Sequence, residues 1–208
     1  MLCKHPSAQV VEIVLEISQF LLCTVPSTEL LVDIMVVVKQ IGYPIQYIRV
    51  LRISGDTLYV QGKYTEASDT LTEARSQFLD IGDVLDAAQC SRSLGDILRM
   101  EAKYTKASDT LTEARSRFLD IADVLGAAQC SRSLGDFLRM QAEYIEASDT
   151  LTESRSQFLE IGDVLGATQC SQSLGNILAM QAKYIEASGT LTEARSQFFK
   201  IGDVLGVT

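Results

Sequence analysis

The chain has 208 residues and a formal net charge of -9. Binding to a nucleic-acid backbone depends on clustered lysine and arginine, so this acidic balance argues against nucleic acid as a partner. The five cysteines include no CxxC pair, which is typical of reduced thiols and predicts a cytoplasmic location.

The N-terminal region is unusually apolar, notably in residues 10–22 and 30–38. Glu12 and Glu16 interrupt the first run. Asp33 and Lys39 bound the second run well short of the roughly 20 residues that a membrane span needs. We therefore expect neither a signal peptide nor a membrane span.

A 40-residue unit repeats along the chain, since residues 64–103 and 104–143 differ at only seven of 40 positions. Such a period is typical of a solenoid, in which each repeat buries its apolar face against its neighbours. The register extends backward, because Gly42 lies 40 residues before Gly82. We predict a degenerate helix pair over residues 1–47 and an array over 48–208, with repeats starting near 48, 88, 128 and 168.

The N-terminal pair is predicted from the same register. Leu31, Ile34 and Val38 fall in the positions that Leu71, Ala74 and Phe78 occupy in the next repeat. Ser27 takes the preceding position, and Pro26 suits the first turn of a helix. We expect five helix pairs in all, the first of them irregular.

Two apolar stripes with helical spacing predict the two helices of each repeat. The second helix is predicted from residues spaced 4, 3, 4, 3: Ala67, Leu71, Ala74, Phe78 and Ile81. The first helix of the following repeat is predicted from a stripe with small residues in its middle: Leu85, Ala88, Ser91, Leu94 or Gly95, Leu98 and Ala102.

Gly82-Asp83 separates these two stripes. Glycine can take the left-handed conformation that ends one helix, and aspartate can cap the next. The pair recurs at Gly162-Asp163 and Gly202-Asp203, but alanine replaces glycine at Ala122. If Ala122 has a positive φ, Ala122→Gly is expected to stabilise the fold by roughly 0.5 to 1 kcal/mol.

The spacing Leu94-Gly95-x2-Leu98, followed by Ala107-x3-Leu111, resembles the tetratricopeptide repeat. Two departures stand out: Ser91 replaces the family's tryptophan, and Leu119 replaces its closing proline. Without that proline the second helix can run on, which accounts for a repeat longer than the family's usual length.

The phrase Ser-Leu-Gly-Asp at 93–96 and 133–136 makes these repeats similar to two kinds of long-repeat array. One occurs in G-protein-signalling modulators of the LGN type, and the other in the tails of fungal STAND-class NTPases. The resemblance covers about residues 48–208. It implies an all-α, right-handed superhelical solenoid of antiparallel helix pairs that binds proteins.

The resemblance also implies that the first helices line a concave groove. The side chains opposite their buried stripes would then bind a partner: Arg49, Arg52, Asp56, Tyr59, Gln89, Arg92, Asp96, Arg99, Gln129, Arg132, Asp136, Arg139, Gln169, Gln172 and Asn176. Six arginines and three aspartates give this face a formal charge of about +3, which favours an acidic peptide. The alternative is that pairs such as Arg92 and Asp96 only neutralise each other at i, i+4.

Two further sets of residues recur in register. Met100, Met140 and Met180 could offer adaptable groove contacts, but we favour core filling. Cys90, Cys130 and Cys170 are expected to be small buried spacers.

The sequence offers no catalytic, cofactor-binding or metal-binding site. His5 is the only histidine, and Gly62-Lys63 lacks the upstream glycine of a phosphate-binding loop. We therefore favour a non-catalytic adaptor over an enzyme. The alternative function is structural: a self-associating array with uncapped ends, or the sensor tail of a larger STAND-type NTPase.

Overall fold

A computed structural model of the protein describes residues 28–42 and 44–204. Within these ranges every regular element is an α-helix. The helices are α1 (Thr28–Ile41), α2 (Pro44–Val60), α3 (Tyr64–Asp80), α4 (Val84–Met100), α5 (Tyr104–Asp120), α6 (Val124–Met140), α7 (Tyr144–Glu160), α8 (Val164–Met180) and α9 (Tyr184–Val204). Contacts divide the chain into two compact units: unit 1 ends at Lys103, and unit 2 begins at Tyr104.

The length of the repeat follows from its helices. Each helix from α2 to α8 has 17 residues, and three residues separate it from the next. No proline shortens the second helices, so they match the first helices in length. The first helices begin at 44, 84, 124 and 164, four residues before the predicted start of each repeat.

A left-handed residue marks every turn, at intervals of 20 residues. Glycine occupies four of these positions and alanine the other four: Gly42, Gly62, Gly82 and Gly162, and Ala102, Ala122, Ala142 and Ala182. Ala122 has a φ of 58°, which is the positive φ on which the prediction for Ala122→Gly depends. An alanine in this region carries a steric cost of roughly 1–2 kcal/mol.

Hydrogen bonds close the turn that follows each second helix. After α3, the Gly82 and Asp83 amides donate to the Leu79 and Phe78 carbonyls, at 3.1 and 2.9 Å. The Asp83 carboxylate then accepts from the Asp86 amide at 3.1 Å, and Asp123 and Asp163 cap α6 and α8 in the same way. The predicted glycine and aspartate roles at Gly82-Asp83 and Gly162-Asp163 are thus confirmed.

Unit 1 is built on two apolar clusters. Ala67, Leu71, Ala74 and Phe78 of α3 are completely buried, which confirms the predicted second-helix stripe. They pack with a group from α2 and α4: Ile48, Leu51, Ala87, Cys90, Leu94 and Ile97. Leu31, Ile34 and Val38 of α1 are buried against Val50 and Ile53 of α2.

Unit 2 repeats this arrangement around α7. Leu151 and Phe158 are buried between α6 and α8 in a cluster that includes Ala128, Ala167 and Ile177. Close helix contact depends on glycine, because a Cβ added at Gly135 would lie 2.6 Å from Leu151 Cγ. At Gly166 an added Cβ would lie 2.5 Å from Phe158 Cδ1.

Four predicted positions are wrong. Ile81 and Leu85 are exposed, because Ile81 follows the end of α3 and Leu85 lies in the first turn of α4. Ala102 is the left-handed residue of a turn and not part of a buried stripe. Gly202-Asp203 does not form a turn that ends the helix, because α9 continues to Val204. The other predicted turns are each followed by a helix packed on the one before, whereas residues 205–208 lie outside the described part.

The remainder of the first-helix stripe is buried: Ala88, Ser91, Leu94 and Gly95, with Leu98 half-buried. The first helices α6 and α8 of unit 2 bury more than one stripe because a second helix packs on each of their two flanks. Pro26, Ser27 and the apolar run 10–22 lie outside the described residues, so the first helix pair stays a prediction.

Candidate partner-binding groove

The predicted groove residues lie in two rows in each unit. In unit 1 the rows belong to α2 and α4, which contact each other directly; in unit 2 they belong to α6 and α8, which also contact each other. Gln172 is exposed, and the other fourteen residues are half-buried. Most of these side chains are therefore partly accessible, because neighbouring first helices within each unit contact each other.

Two carboxylates hold the arginines of α2 in unit 1. The Arg52 guanidinium lies 3.3 Å from Asp56 Oδ2 and 3.3 Å from Asp86 Oδ1. Arg49 Nε lies 3.6 Å from Asp86 Oδ2. Asp86 belongs to the first turn of α4 and was not among the predicted site residues. Together the four side chains form a mutually neutral cluster, which we call the Asp86 cluster.

Asp56 is also held by the neighbouring helix. The Ser93 hydroxyl of α4 donates to Asp56 Oδ1 at 2.7 Å. Burial raises the pKa of Asp56, although Arg52, this hydrogen bond and Arg92 act in the opposite direction. Burial likewise raises the pKa of Asp86, against the attraction of Arg52 and Arg49. In both cases desolvation of the carboxylate outweighs its pairing with arginine.

The remaining charges of unit 1 pair only in part. Asp96 forms an ion pair with Arg99 at i, i+3, in which the two nearest atoms are 3.7 Å apart. The alternative had predicted that Asp96 pairs with Arg92 at i, i+4. That alternative holds instead for Arg52 and Asp56. Arg92 Nε is buried without a hydrogen-bond partner among the described residues, and Arg92 acts electrostatically on Asp56. Tyr59 packs on Tyr64 with ring centroids 5.9 Å apart.

Unit 2 lacks the Asp86 cluster. Gly166 occupies the position that Asp86 has in α4, and Gln129 replaces Arg49. Arg132 Nη1 donates to the neutral Gln169 Oε1. Within the described part of the chain, no carboxylate forms an ion pair with Arg132. Its positive charge is therefore not neutralised by direct contact.

The acidic residue among the unit 2 row positions already has partners within the protein. Asp136 lies 3.5 Å from Arg139 and accepts from the Ser173 hydroxyl at 2.7 Å. This hydrogen bond matches the one from Ser93 to Asp56, so a serine links adjacent first helices in both units. The remaining row positions are carboxamides: Gln129, Gln169, Gln172 and Asn176.

Asp86 lowers the formal charge of the rows. Unit 1 carries four arginines and three aspartates, and unit 2 carries two arginines and one aspartate, so each has a net charge of +1. The sum is +2, one less than the sequence predicted. The groove is only weakly positive, and the position of each charge matters more than the total.

The recurring cysteines and methionines have different environments. Cys90, Cys130 and Cys170 are completely buried, which confirms the predicted spacers. Burial raises the pKa of Cys90 to about 12, so its thiol stays protonated and unreactive. Met100, Met140 and Met180 are about half exposed, so core filling is wrong and their role in surface contacts stays a prediction.

A second concavity lies in unit 2 between α5 and α7, with α6 as its floor. This cleft has a volume of about 200 Å³ and is lined by polar groups such as Thr112, Thr150 and Glu146. Arg115 crosses it to Glu153, with Nη2 and Oε1 3.0 Å apart. The cleft includes none of the fifteen predicted groove residues.

No group of three or more potential metal ligands occurs among the described residues. No helix in residues 28–42 or 44–204 is long and apolar enough to cross a membrane.

Sequence reasoning missed three contributors to the groove: Asp86, Ser93 and Ser173. Asp86 had a signal, because it is one of the seven positions at which the first two full repeats differ. Ser93 and Ser173 belong to the Ser-Leu-Gly phrase, whose serine was not assigned a role. Each of the three contacts a residue 34 or 37 positions away, a pairing that only the packing of adjacent repeats reveals.

No family model matches the chain, and no curated protein sequence matches it. Solved structures do match its fold. BtubC from P. vanneervenii superposes with a TM-score of 0.72 and 12% identity, over 93% of this chain and 80% of that one. A Rap conjugation gene regulator of plasmid pLS20, solved with the Phr* peptide, gives 0.66 and 16%, over 93% and 65%.

A putative kinesin light chain of Podosopora anserina with nearly identical TPR-like repeats gives a TM-score of 0.60 and 10% identity, over 93% of both chains. The chain spans 48% of two further Rap structures. These identities are low, so the likeness concerns the fold. With the helix pairs and the turns at 20-residue intervals described above, it shows an all-α fold of repeated helix pairs like that of solved proteins with TPR-like repeats.

Proposed function

We propose that the protein is a non-catalytic cytoplasmic adaptor. Its array, residues 48–208, holds an extended or helical segment of a partner protein against the first helices, and residues 1–47 cap the array. The observation that carries this proposal is the paired rows of arginine and carboxamide side chains on adjoining first helices. Such rows offer charge-assisted hydrogen bonds to side chains and neutral hydrogen bonds to a peptide backbone.

The proposed ligand is acidic. Six arginines line the rows of a chain whose net charge is -9, so the groove is the less negative part of the surface. Asn176 and the glutamines would bind the ligand backbone. The Rap regulator solved with a peptide supports this assignment by showing that a similar fold accommodates a peptide.

Selection from a phage-displayed library of random dodecapeptides tests the proposal. We expect peptides enriched in aspartate and glutamate. Reversing the charge of Arg92 and Arg132 to glutamate should weaken their binding by more than about tenfold, because two favourable contacts become repulsive. Lys63→Glu with Lys183→Glu changes the net charge equally at exposed turn positions and serves as the control. Failure to select any groove-dependent peptide would contradict the proposed function.

Self-association, or a sensor-tail role in a larger STAND-type NTPase, is the second candidate. One observation favours it: Leu191 and Phe198 of α9 are only half-buried, whereas the matching Leu151 and Phe158 of α7 are buried under α8. A partner with an apolar face could cover them. Light scattering on the isolated chain tests self-association, which a monomer at high concentration would exclude.

A further inference from the structure

We propose that the ligand's anchoring carboxylate binds in unit 2, at Arg132, and that the ligand is a peptide with one acidic side chain among uncharged residues. This inference rests on the proposed function and assigns the groove a specific anchor. It replaces the simpler expectation that all six arginines attract a run of acidic residues.

The arginines of α2 are poor anchors because the protein already supplies their carboxylates. Arg52 has Asp56 and Asp86 at 3.3 Å each, and its side chain is only 12% exposed. A ligand carboxylate would have to displace one of these aspartates or approach it closely. Repulsion between neighbouring carboxylates opposes the second arrangement.

Arg99 and Arg139 are also engaged, with Asp96 and Asp136 respectively. Arg92 makes no ion pair within 4 Å, but it lies within electrostatic reach of Asp56. Arg132 differs from all of these. Its contact is a hydrogen bond to an uncharged amide, and Gly166 stands where a carboxylate would repeat the Asp86 cluster.

The surroundings of Arg132 limit the ligand to one charge. The Asp136 carboxylate lies one helical turn further along α6, and Arg139 and Ser173 already occupy it. Gln129, Gln169 and Gln172 add hydrogen-bonding amides without charge. A second or third ligand carboxylate would find no free cation there and would meet Asp136. A single carboxylate with neutral neighbours therefore matches the chemistry of this site.

Matched substitutions test the inference on peptides selected from the dodecapeptide library. Arg132→Gln should weaken binding by at least about tenfold, because it removes a charge-assisted contact. Arg132→Lys should recover part of that loss, since it restores the charge without the planar fork. Arg52→Gln, the matched substitution in unit 1, should cost less affinity than Arg132→Gln. Arg195→Gln, at an exposed position outside the rows, is the control and should leave affinity within about twofold.

The selected sequences give a second readout. Peptides with one acidic residue should dominate, and changing that residue to its amide should abolish the difference between wild type and Arg132→Gln. A larger loss with Arg52→Gln than with Arg132→Gln would overturn the inference. So would dominance of peptides with three or more acidic residues. Either result would leave the proposed peptide-binding function intact, whereas the absence of binding peptides would refute that function itself.

Discussion

Unit 1 and unit 2 are built from nearly the same repeat, yet the arginines on their first helices have different partners. In unit 1, Asp86 joins α4 to Arg49 and Arg52 of α2, so these two arginines already have carboxylate partners within the protein. In unit 2, Gly166 takes the matching position, and Arg132 has only an amide partner. The aspartate of unit 1 thus pairs with the α2 arginines, whereas the glycine at the matching position of unit 2 leaves Arg132 without a carboxylate partner.

The same position also has different packing requirements in the two units. An added Cβ at Gly166 would lie 2.5 Å from Phe158 Cδ1 and 2.8 Å from Asp163 Oδ2, whereas in unit 1 the matching residues Asp86 and Phe78 are both buried. The glycine of unit 2 therefore gives close packing as well as an unpaired arginine. Substitutions at Asp86 and Gly166 separate these two consequences.

The largest expected effect comes from Gly166→Asp. The new side chain must displace the buried Phe158 ring, so the free energy of unfolding should fall by about 1–3 kcal/mol. The added carboxylate should also weaken peptide binding at Arg132. Urea unfolding and peptide affinity give the two readouts.

Gly189→Asp is the control for this substitution. Gly189 is a helical glycine with nothing within 4 Å of an added Cβ, and Asp149 holds the same position one repeat earlier. The control should be neutral or slightly stabilising. Equal stability losses in the two variants would show that contact with Phe158 is not the reason.

Asp86→Asn should convert unit 1 toward the behaviour of unit 2. With the carboxylate removed, Arg49 loses its ion pair and Arg52 keeps only Asp56, so anionic peptides should gain about threefold to tenfold in affinity. Calorimetry with the selected peptides measures this gain. Asp80→Asn removes the same charge at an exposed position and should change affinity little. No difference between the variants would mean that the Asp86 cluster does not control access to the arginines.

Substitutions at the turns are expected to change stability by an intermediate amount. Ala122 and Gly162 occupy matching left-handed positions, with φ of 58° and 77°. Ala122→Gly should raise the free energy of unfolding by about 0.5–1 kcal/mol, and Gly162→Ala should lower it by a similar amount. Urea midpoints of the two variants check this symmetry. Changes of the same sign would contradict a shared conformation.

The smallest expected effect concerns pH. Burial raises the pKa of Asp86 above its usual 3.8, with Asp83 adding to the rise and Arg52 and Arg49 opposing it. The folded chain therefore binds this proton more tightly than the unfolded chain. The resulting stabilisation is complete below the unfolded pKa and is lost as pH rises through the folded pKa. Asp86→Asn should abolish this part of the pH dependence; an unchanged slope would contradict the assignment.

The repeat architecture can be predicted from the sequence because it depends on the spacing of apolar residues and turn residues. The stripe Ala67, Leu71, Ala74 and Phe78 requires only helical periodicity, and Gly82-Asp83 carries its own turn chemistry. The register indicated the turn at Ala122, but Ala102 was wrongly placed in a buried stripe because it has no local signal that distinguishes a left-handed turn from a helix. In that case the register of the neighbouring repeats overrides local propensity.

The groove was less predictable, for a different reason. Its fifteen residues could be placed on first helices by register, but their pairing depends on contacts between repeats. Asp86 lies in the first turn of α4, where an acidic residue normally serves the helix dipole. Nothing in the linear spacing shows that it also reaches Arg52. Which charges of the groove are neutralised therefore depends on tertiary contacts, although each contributing residue can be read from the sequence.

The central claim is that Arg132, and not Arg52, binds the carboxylate of the ligand. Heteronuclear NMR of the arginine Nε–Hε groups, with a selected single-carboxylate peptide titrated into the full chain, tests it most directly. The account predicts a saturable shift of the Arg132 signal, with the Arg52 signal unchanged. A saturable shift at Arg52 with Arg132 unaffected would contradict it.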